Sequence, residues 1–337
     1  MRSAQYRLTG DDSPIVVAER PTPPVHSGQV RVRMAVSGVN PTDVDQKRGG
    51  RVHHELTEPQ VPNQDGAGTV DAVGDDVTHL KPGDRVWVWD AAWKRAEGTA
   101  QELVVLPARH VVALPDGASY DLGASLGIPA LTAHRTLTSF AEGPHQLARG
   151  ALDGRTVLVA GGAGAVGHMA IQLARWAGAQ VIATVSDSRK AELAQRAGAH
   201  HIVDYTSTDL VHAVTAIGRP SIIVEVNARA NLHHDVRLIA EGGGIAIYTP
   251  GGDDDLGVPA RDAMIKNVQL SFVLTYSTSR EQKQHAVDAV AAALADGALT
   301  VGEENGLPLT RYPLDDVPGA LAAVESHFVG KVLIDIP

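Results

Sequence analysis

The residues from Thr156 to Gly167 read as a short apolar strand, a glycine turn and the start of a helix near Ala165. Gly162, Gly164 and Gly167 take the spacing G-x-G-x-x-G, with strand and helix where a dinucleotide-binding turn requires them. Glycine lets the backbone bend sharply and approach a pyrophosphate, whose charge is met by the electropositive end of the helix. The spacing alone is weak in a chain with 34 glycines; the strand–turn–helix context gives it weight. A second informative place is the end of the next apolar strand, Val181 to Val185. A site that reads a ribose 2′-hydroxyl carries an acidic residue there. In this chain Val185 is followed by Ser186, Asp187, Ser188, Arg189 and Lys190. Two cations and a hydroxyl suit a 2′-phosphate, so NADPH is the expected cofactor. The alternative is a helix start, with Asp187 or Ser188 as N-cap and both cations solvated.

Other spacings carry less. Gly123-Ala124-Ser125-Leu126-Gly127 matches the nucleophile elbow of serine hydrolases, but it falls in a helical stretch rather than after a strand. The pairs His53-His54, His200-His201 and His233-His234 suggest metal only at first sight. Adjacent side chains point apart on helix or strand, and no carboxylate cluster accompanies them. Trp87 and Trp89 share one face of a strand and read as core, whereas Trp93 lies in a loop where it can cover a substrate.

These groups need a scaffold, and the texture of the chain supplies one. The first part is β-rich, with strands over Val30–Val36, Gly68–Gly74 and Asp84–Trp89 separated by turn residues. Beyond Leu126 strands and helices alternate. The helix after the glycine turn carries Val166, Met169, Ala170, Leu173, Ala174 and Ala177 on one stripe. The runs 181–185, 221–226, 244–248 and 268–274 are nearly all apolar, as in a parallel sheet covered on both faces. A helix is expected over Gln282–Leu294, and Lys331–Ile336 is a terminal strand returning to the first domain. The fold class is α/β. A β-rich domain (1–125 and 275–337) receives a doubly wound domain (126–274) as an insertion.

Of 337 residues, 44% are hydrophobic and 20% charged, the balance of a soluble globular chain, and no run approaches a membrane span. The first residues lack an apolar signal-peptide core, which argues against export. With no cysteine, disulfides, thiolate zinc sites and a cysteine nucleophile are excluded, in keeping with a cytoplasmic setting. A net charge of −10 argues against a general nucleic-acid or anionic-membrane binder.

The chain resembles the zinc-free, zeta-crystallin-like quinone oxidoreductases of the medium-chain dehydrogenase/reductase superfamily. The resemblance rests on Gly38-Val39-Asn40-Pro41-Thr42-Asp43, residues 81–86, Gly127-Ile128-Pro129-Ala130-Leu131-Thr132-Ala133, the glycine turn and Gly330-Lys331-Val332-Leu333. It implies a GroES-like substrate domain, a Rossmann NADPH domain, a cleft between them and a homodimer or homotetramer. Hydride then passes from nicotinamide to a quinone or activated alkene. By position, Gly161, Ala163, Gly164, Ala165, Val166 and Gly167 are expected at the pyrophosphate. Ser186, Arg189, Lys190 and Tyr205 fall at the 2′-phosphate, and Tyr248, Thr249 and Val273 along the nicotinamide half. Asn40 and Thr132 look towards the reacting ring.

The chain departs from the family where two pocket tyrosines become Asp45 and Arg51, where Gln64-Asp65 precede Gly66, and where His327 replaces a basic residue. Arg51, Gln64 and Trp93 are therefore expected at a more polar substrate pocket. Asn40 can polarise a carbonyl, and Asp43 or Asp45 can relay a proton if desolvated. Their alternatives are turn stabilisation for Asn40, and helix capping or an ion pair with Lys47 for Asp43. The expected activity is metal-free reduction of a quinone or related carbonyl by NADPH. The rivals are an enone, enal or enoyl reductase, and a non-catalytic NADPH-sensing or RNA-binding zeta-crystallin-like protein.

Overall fold

The alternation at Val30–Val36 lies inside a strand of 11 residues, whose valines and Met34 point into a core while Arg31 and Arg33 reach Asp71 on the neighbouring strand. The computed structural model describes residues 1–10, 13–49, 55–252, 255–326 and 328–337. The chain runs β1 (Arg2–Leu8), β2 (Val16–Glu19), β3 (Gln29–Val39), α1 (Pro41–Arg48), β4 (Glu55–Gln60), β5 (Asp65–Val73), β6 (Arg85–Val88), β7 (Leu103–Pro107), β8 (Val111–Ala113) and α2 (Tyr120–Thr138). It continues with β9 (Thr156–Ala160), α3 (Ala165–Trp176), β10 (Gln180–Val185), α4 (Ser188–Ala197), β11 (His201–Asp204), α5 (Leu210–Ile217), β12 (Ile222–Glu225) and α6 (Ala228–Leu238). Then come β13 (Gly244–Ile247), α7 (Ala260–Lys266), β14 (Gln269–Phe272), α8 (Arg280–Ala295), β15 (Leu309–Pro313), α9 (Val317–Glu325) and β16 (Lys331–Asp335).

Met1–Ile128 and Leu309–Pro337 form the first of two units. Its main sheet has the order β15-β16-β3-β5-β6-β8, with β7 also on β3, and a smaller sheet runs β2-β1-β4. The terminal strand returns as expected: β16 lies antiparallel to β3, Val332 opposite Val39. Trp87 and Trp89 are core residues, 0% and 4% exposed.

Pro129–Pro308 form the second unit. Its six strands are all parallel in the order β11-β10-β9-β12-β13-β14. The order reverses beside β9, the switch point at which doubly wound sheets bind ligands. Strands β12 and β13 are buried along their whole length, which explains why they are apolar apart from Glu225 at the end of β12.

The division between units differs from the sequence expectation. Residues 275–308, expected with the first domain, lie in the second unit, and the earlier break falls inside α2, at 128/129 rather than 125/126. The reason is packing on α3. Helix α8 buries Val287, Val290 and Leu294, and it packs against α3; each such side chain stabilises by roughly 1.5–3 kcal/mol. Thr300 is bonded twice to buried Gln172, and its carbonyl lies 2.7 Å from His168 Nε2.

Candidate functional site

In the second unit, β9 delivers the chain into the glycine turn and α3 takes it away. Gly161 has φ +67°, a conformation costly for any residue with a side chain. A Cβ on Gly167 would stand 2.3 Å from the Gly161 carbonyl oxygen, so the first turn of α3 sits directly on the glycine turn. Gly164 is different. It is the exposed N-cap of α3, no side chain caps it, and a Cβ there would meet only the Gly161 oxygen, at 3.5 Å. The N–H groups that open α3 at Ala165, Val166 and Gly167 have no acceptor within the helix, Gly164 leaves room at its start, and Ala163 is buried. A helix N-terminus opened by glycine in this way is the arrangement the sequence predicts beside a pyrophosphate.

At the tip of β10, Lys190 Nζ donates to Ser186 Oγ at 2.7 Å and lies 3.2 Å from Asp187 Oδ2. Asp187 caps α4 by accepting the Lys190 N–H at 2.9 Å, and that bond holds its carboxyl below the ordinary value. The helix-start reading is realised at Asp187, and Ser186 and Lys190 form a polar pair beside it. Arg189 is exposed and enters no ion pair among the described residues. Tyr205, 50% exposed, joins them because its N–H donates to the Val185 carbonyl. On the other side of the sheet, Tyr248 and Thr249 follow β13, and Val273 follows β14 with its N–H on the Ile247 carbonyl. Thr132 Oγ1 lies 2.7 Å from Thr275 Oγ1, both side chains buried.

The first unit gathers a different set. Asn40 caps α1, and its N–H donates to Asp43 Oδ2 at 2.7 Å. Its side-chain amide donates to Asp65 Oδ2, and its amide oxygen accepts from Lys331 Nζ, each at 2.7 Å. Lys331 Nζ also donates to the Val39 carbonyl and lies 3.7 Å from Asp65. Asp65 Oδ1 accepts the Ile128 N–H in the Gly-Ile-Pro stretch of α2. All four side chains are 3% exposed or less. Burial, and then the charge of Asp65, push the Asp43 carboxyl up to about 8, against the bonds from Asn40 and the charge of Lys331. Burial raises Asp65 and lowers Lys331, their mutual attraction opposing both shifts.

Among the expected catalytic groups, Asn40 and Asp43 thus come together, and the capping alternative for Asp43 is realised. Asp45 lies two residues along α1 from Asp43, on the exposed face rather than in the desolvated setting a proton relay needs. Gln64 is buried, bonded to Gln46 and to the Ala92 N–H. Trp93 is half-buried, with Lys94 Nζ 5.7 Å above its ring. Arg51, His53, His54 and His327 lie outside the described residues.

Ser125 is a buried residue of α2 whose hydroxyl donates to the Asp121 carbonyl, consistent with discounting the elbow match. The His233 and His234 rings do not point apart; their centroids are 3.7 Å from each other. Among the described residues no three His, Asp or Glu side chains gather as metal ligands would. Sequence reasoning did not single out Lys331, Glu225 or Asp235. A signal existed for the last: on α6, Asp235 interrupts the buried face made by Ala228, Leu232 and Val236.

Comparisons with known proteins agree with this geometry. A family described as zinc-binding dehydrogenase matches residues 165–292, and the alcohol dehydrogenase GroES-like domain matches residues 26–116. Quinone oxidoreductase of Lama guanicoe is 30% identical over 93% of this chain and 90% of its own. A mycobacterial protein solved in complex with NADPH is 27% identical, with a TM-score of 0.78 over 99% of this chain and 100% of that one. An NAD-dependent alcohol dehydrogenase, 24% identical, shares the fold with a TM-score of 0.85 over the whole of both chains. The chain is an oxidoreductase and belongs to the quinone oxidoreductase branch of the medium-chain dehydrogenase/reductase superfamily.

Proposed function

We propose that this protein is an NADPH-dependent, metal-free reductase that transfers hydride to a quinone or a related activated carbonyl. The observation that carries the cofactor choice is the tip of β10, where Val185 stands in place of an acid and Ser186, Arg189 and Lys190 follow. An acidic residue there would repel a 2′-phosphate, whereas these three can neutralise it and donate to it. Gly164 and the start of α3 would hold the pyrophosphate, and Tyr248, Thr249 and Val273 would border the nicotinamide half. Bound there, NADPH supplies the hydride. A quinone takes that hydride on one oxygen and a proton from water on the other, leaving hydroquinone and NADP⁺. Such an acceptor needs orientation and exclusion of water more than a dedicated acid. That suits a chain whose Asn40 and Asp43 are tied into one another. Asn40 and Thr132 remain the polar groups we assign to the acceptor, with Gln64 and Trp93 as further candidates.

The same reading makes the protein a cytoplasmic enzyme, in keeping with the absence of cysteine. It also makes it a homodimer. Strand β14 is a sheet edge paired only with β13, and it exposes Phe272 (70%) and Leu274 (52%) next to it, features a second copy can cover. Sedimentation of the pure protein reads this directly, and a monomer overturns it.

The function is tested by following NADPH and NADH oxidation against benzoquinones, phenanthrenequinone, an enone, an enal and an enoyl thioester. Turnover of quinones with NADPH is expected. Replacing Arg189 and Lys190 together by Ala should raise the NADPH KM about tenfold or more and leave NADH unchanged. An equal effect on both cofactors overturns the 2′-phosphate assignment, and turnover confined to the alkenes overturns the acceptor.

A further inference from the structure

Strand β12 ends on Glu225, whose side chain is fully buried, and α6 brings Asp235, 2% exposed, against it. Asn231, one turn before Asp235 on the same face of α6, reaches Glu225 Oε1 at 3.1 Å, so α6 carries the Asp235 carboxyl to the same side chain, where the two acids interact. Two carboxylates are acceptors only, so these acids can bond each other only if one of them carries a proton. The remaining contacts agree. Glu225 Oε1 accepts from the Asn227 N–H and from Asn231 Nδ2. Glu225 Oε2 and Asp235 Oδ2, by contrast, are buried without a hydrogen-bond partner among the described residues. A single proton between those two oxygens satisfies both.

Among the described residues neither acid enters an ion pair. Among the described residues the other ionisable group facing the pair is the Tyr248 phenol after β13. On α6, His233 and Arg237 are exposed and His234 is half-buried. On α7, Lys266 donates to the carbonyls of Val236, Arg237 and Ile239. The negative charge that remains is met by the Asn227 N–H and the N-terminus of α6. What the pair holds is the stretch Val226–Asn227. Val226 lies against Gly161, its Cγ1 3.0 Å from where a Gly161 Cβ would be, and the next N–H is the one bound by Glu225.

We propose that Glu225 and Asp235 share one proton, and that the singly protonated pair is a positioning element that holds Val226–Asn227 against the glycine turn. The role rests on reading that turn as the dinucleotide site. Loss of the proton puts two like charges in contact in a dry interior, and their separation frees the Asn227 N–H and loosens the wall of the turn. Burial raises both carboxyls, Asp235 the more so. The folded chain therefore keeps its proton at a pH where the unfolded chain has lost it. The stability this gives is complete below the ordinary carboxylate range and declines as pH rises through the raised value.

The test replaces the shared proton by an amide hydrogen. Asp235→Asn donates to Glu225 Oε2 at every pH, leaving Glu225 with three donors. Dissociation constants for NADPH and NADH, and the melting temperature without cofactor, are measured for both proteins from about pH 6 to about pH 9.5. Relative to Asp235→Asn, the wild-type chain should lose about threefold or more in affinity and fall in melting temperature as pH rises. Asp235→Ala, with no donor, should bind weakly throughout. Glu225→Gln supplies the same hydrogen from the other side and serves where Asp235→Asn does not fold. Constants and melting temperatures that stay parallel across pH overturn the shared proton. Equal affinities for Asp235→Ala and Asp235→Asn overturn the positioning role. Melting temperatures that diverge while the wild-type chain binds neither dinucleotide overturn the reading of the turn, and leave the shared proton standing.

Discussion

In the first unit, Asp43 and Asp65 are buried with Lys331 and Asn40; in the second, Glu225 and Asp235 are buried with backbone and amide donors only. Both units thus sink two carboxyls into their cores, but they compensate the charge by different means. Lys331 is a fixed cation, brought to Asn40 from 291 residues away along the chain. The charge of Lys331 offsets that of Asp65, and burial pushes the Asp43 carboxyl up to about 8, which favours its neutral acid. The pair on β12 and α6 has no such partner and depends on a proton, which solvent can remove. A cation makes Asp65 part of the scaffold, whereas a proton, on Asp43 as on the Glu225–Asp235 pair, makes a buried acid responsive to pH.

The largest effect should come from taking the cation away. Lys331→Met leaves Asp65 unpaired in the core and should cost about 3–5 kcal/mol in denaturant unfolding at neutral pH. Part of that should return on acidification, as Asp65 takes up a proton. A cost below about 1 kcal/mol would erase the distinction between the clusters. Next is Asp43→Asn, which keeps an acceptor for the Asn40 N–H but cannot ionise. Because Asp43 in the fold titrates at about 8, wild-type stability from this group is present in acid and is lost as pH climbs to that value. The variant should match the wild type near pH 5 and exceed it near pH 9, by on the order of 2 kcal/mol. Identical slopes of stability against pH would show that Asp43 is already ionised.

The smallest effect on stability should come from Gly164→Val, which touches neither cluster. The new side chain meets no protein atom closer than 3.5 Å from its Cβ, so unfolding should shift by under about 1 kcal/mol. Dinucleotide binding should nevertheless be lost, as read by fluorescence titration. Retained binding would remove Gly164 from the site, and the Glu225 pair with it.

The parallel sheet was legible in the runs at Val181, Ile222 and Gly244 because strands covered on both faces have little room for polar residues. The glycine turn was legible because its constraints are local. Gly167 meets a carbonyl six residues earlier, and the cap at Gly164 is set by its immediate neighbours. Helix α8 was recognised as a helix but placed with the wrong unit: an apolar stripe shows that a helix packs, not on which surface. Asp43 was open to two readings, because a capping box and a proton relay both ask for an acid three residues after Asn40.

By itself, then, the sequence determined the strand–turn–helix at 156–176, the residues at the end of β10 and the class of the fold, all through sterics and periodicity acting over a few residues. The protonation of its buried acids was decided only by tertiary structure. Asp65 and Lys331 meet because β5 and β16 both flank β3, and Asp235 meets Glu225 because α6 packs back on β12. The energy of a buried charge depends on which groups the fold brings within a few ångströms, and neither composition nor spacing encodes that distance.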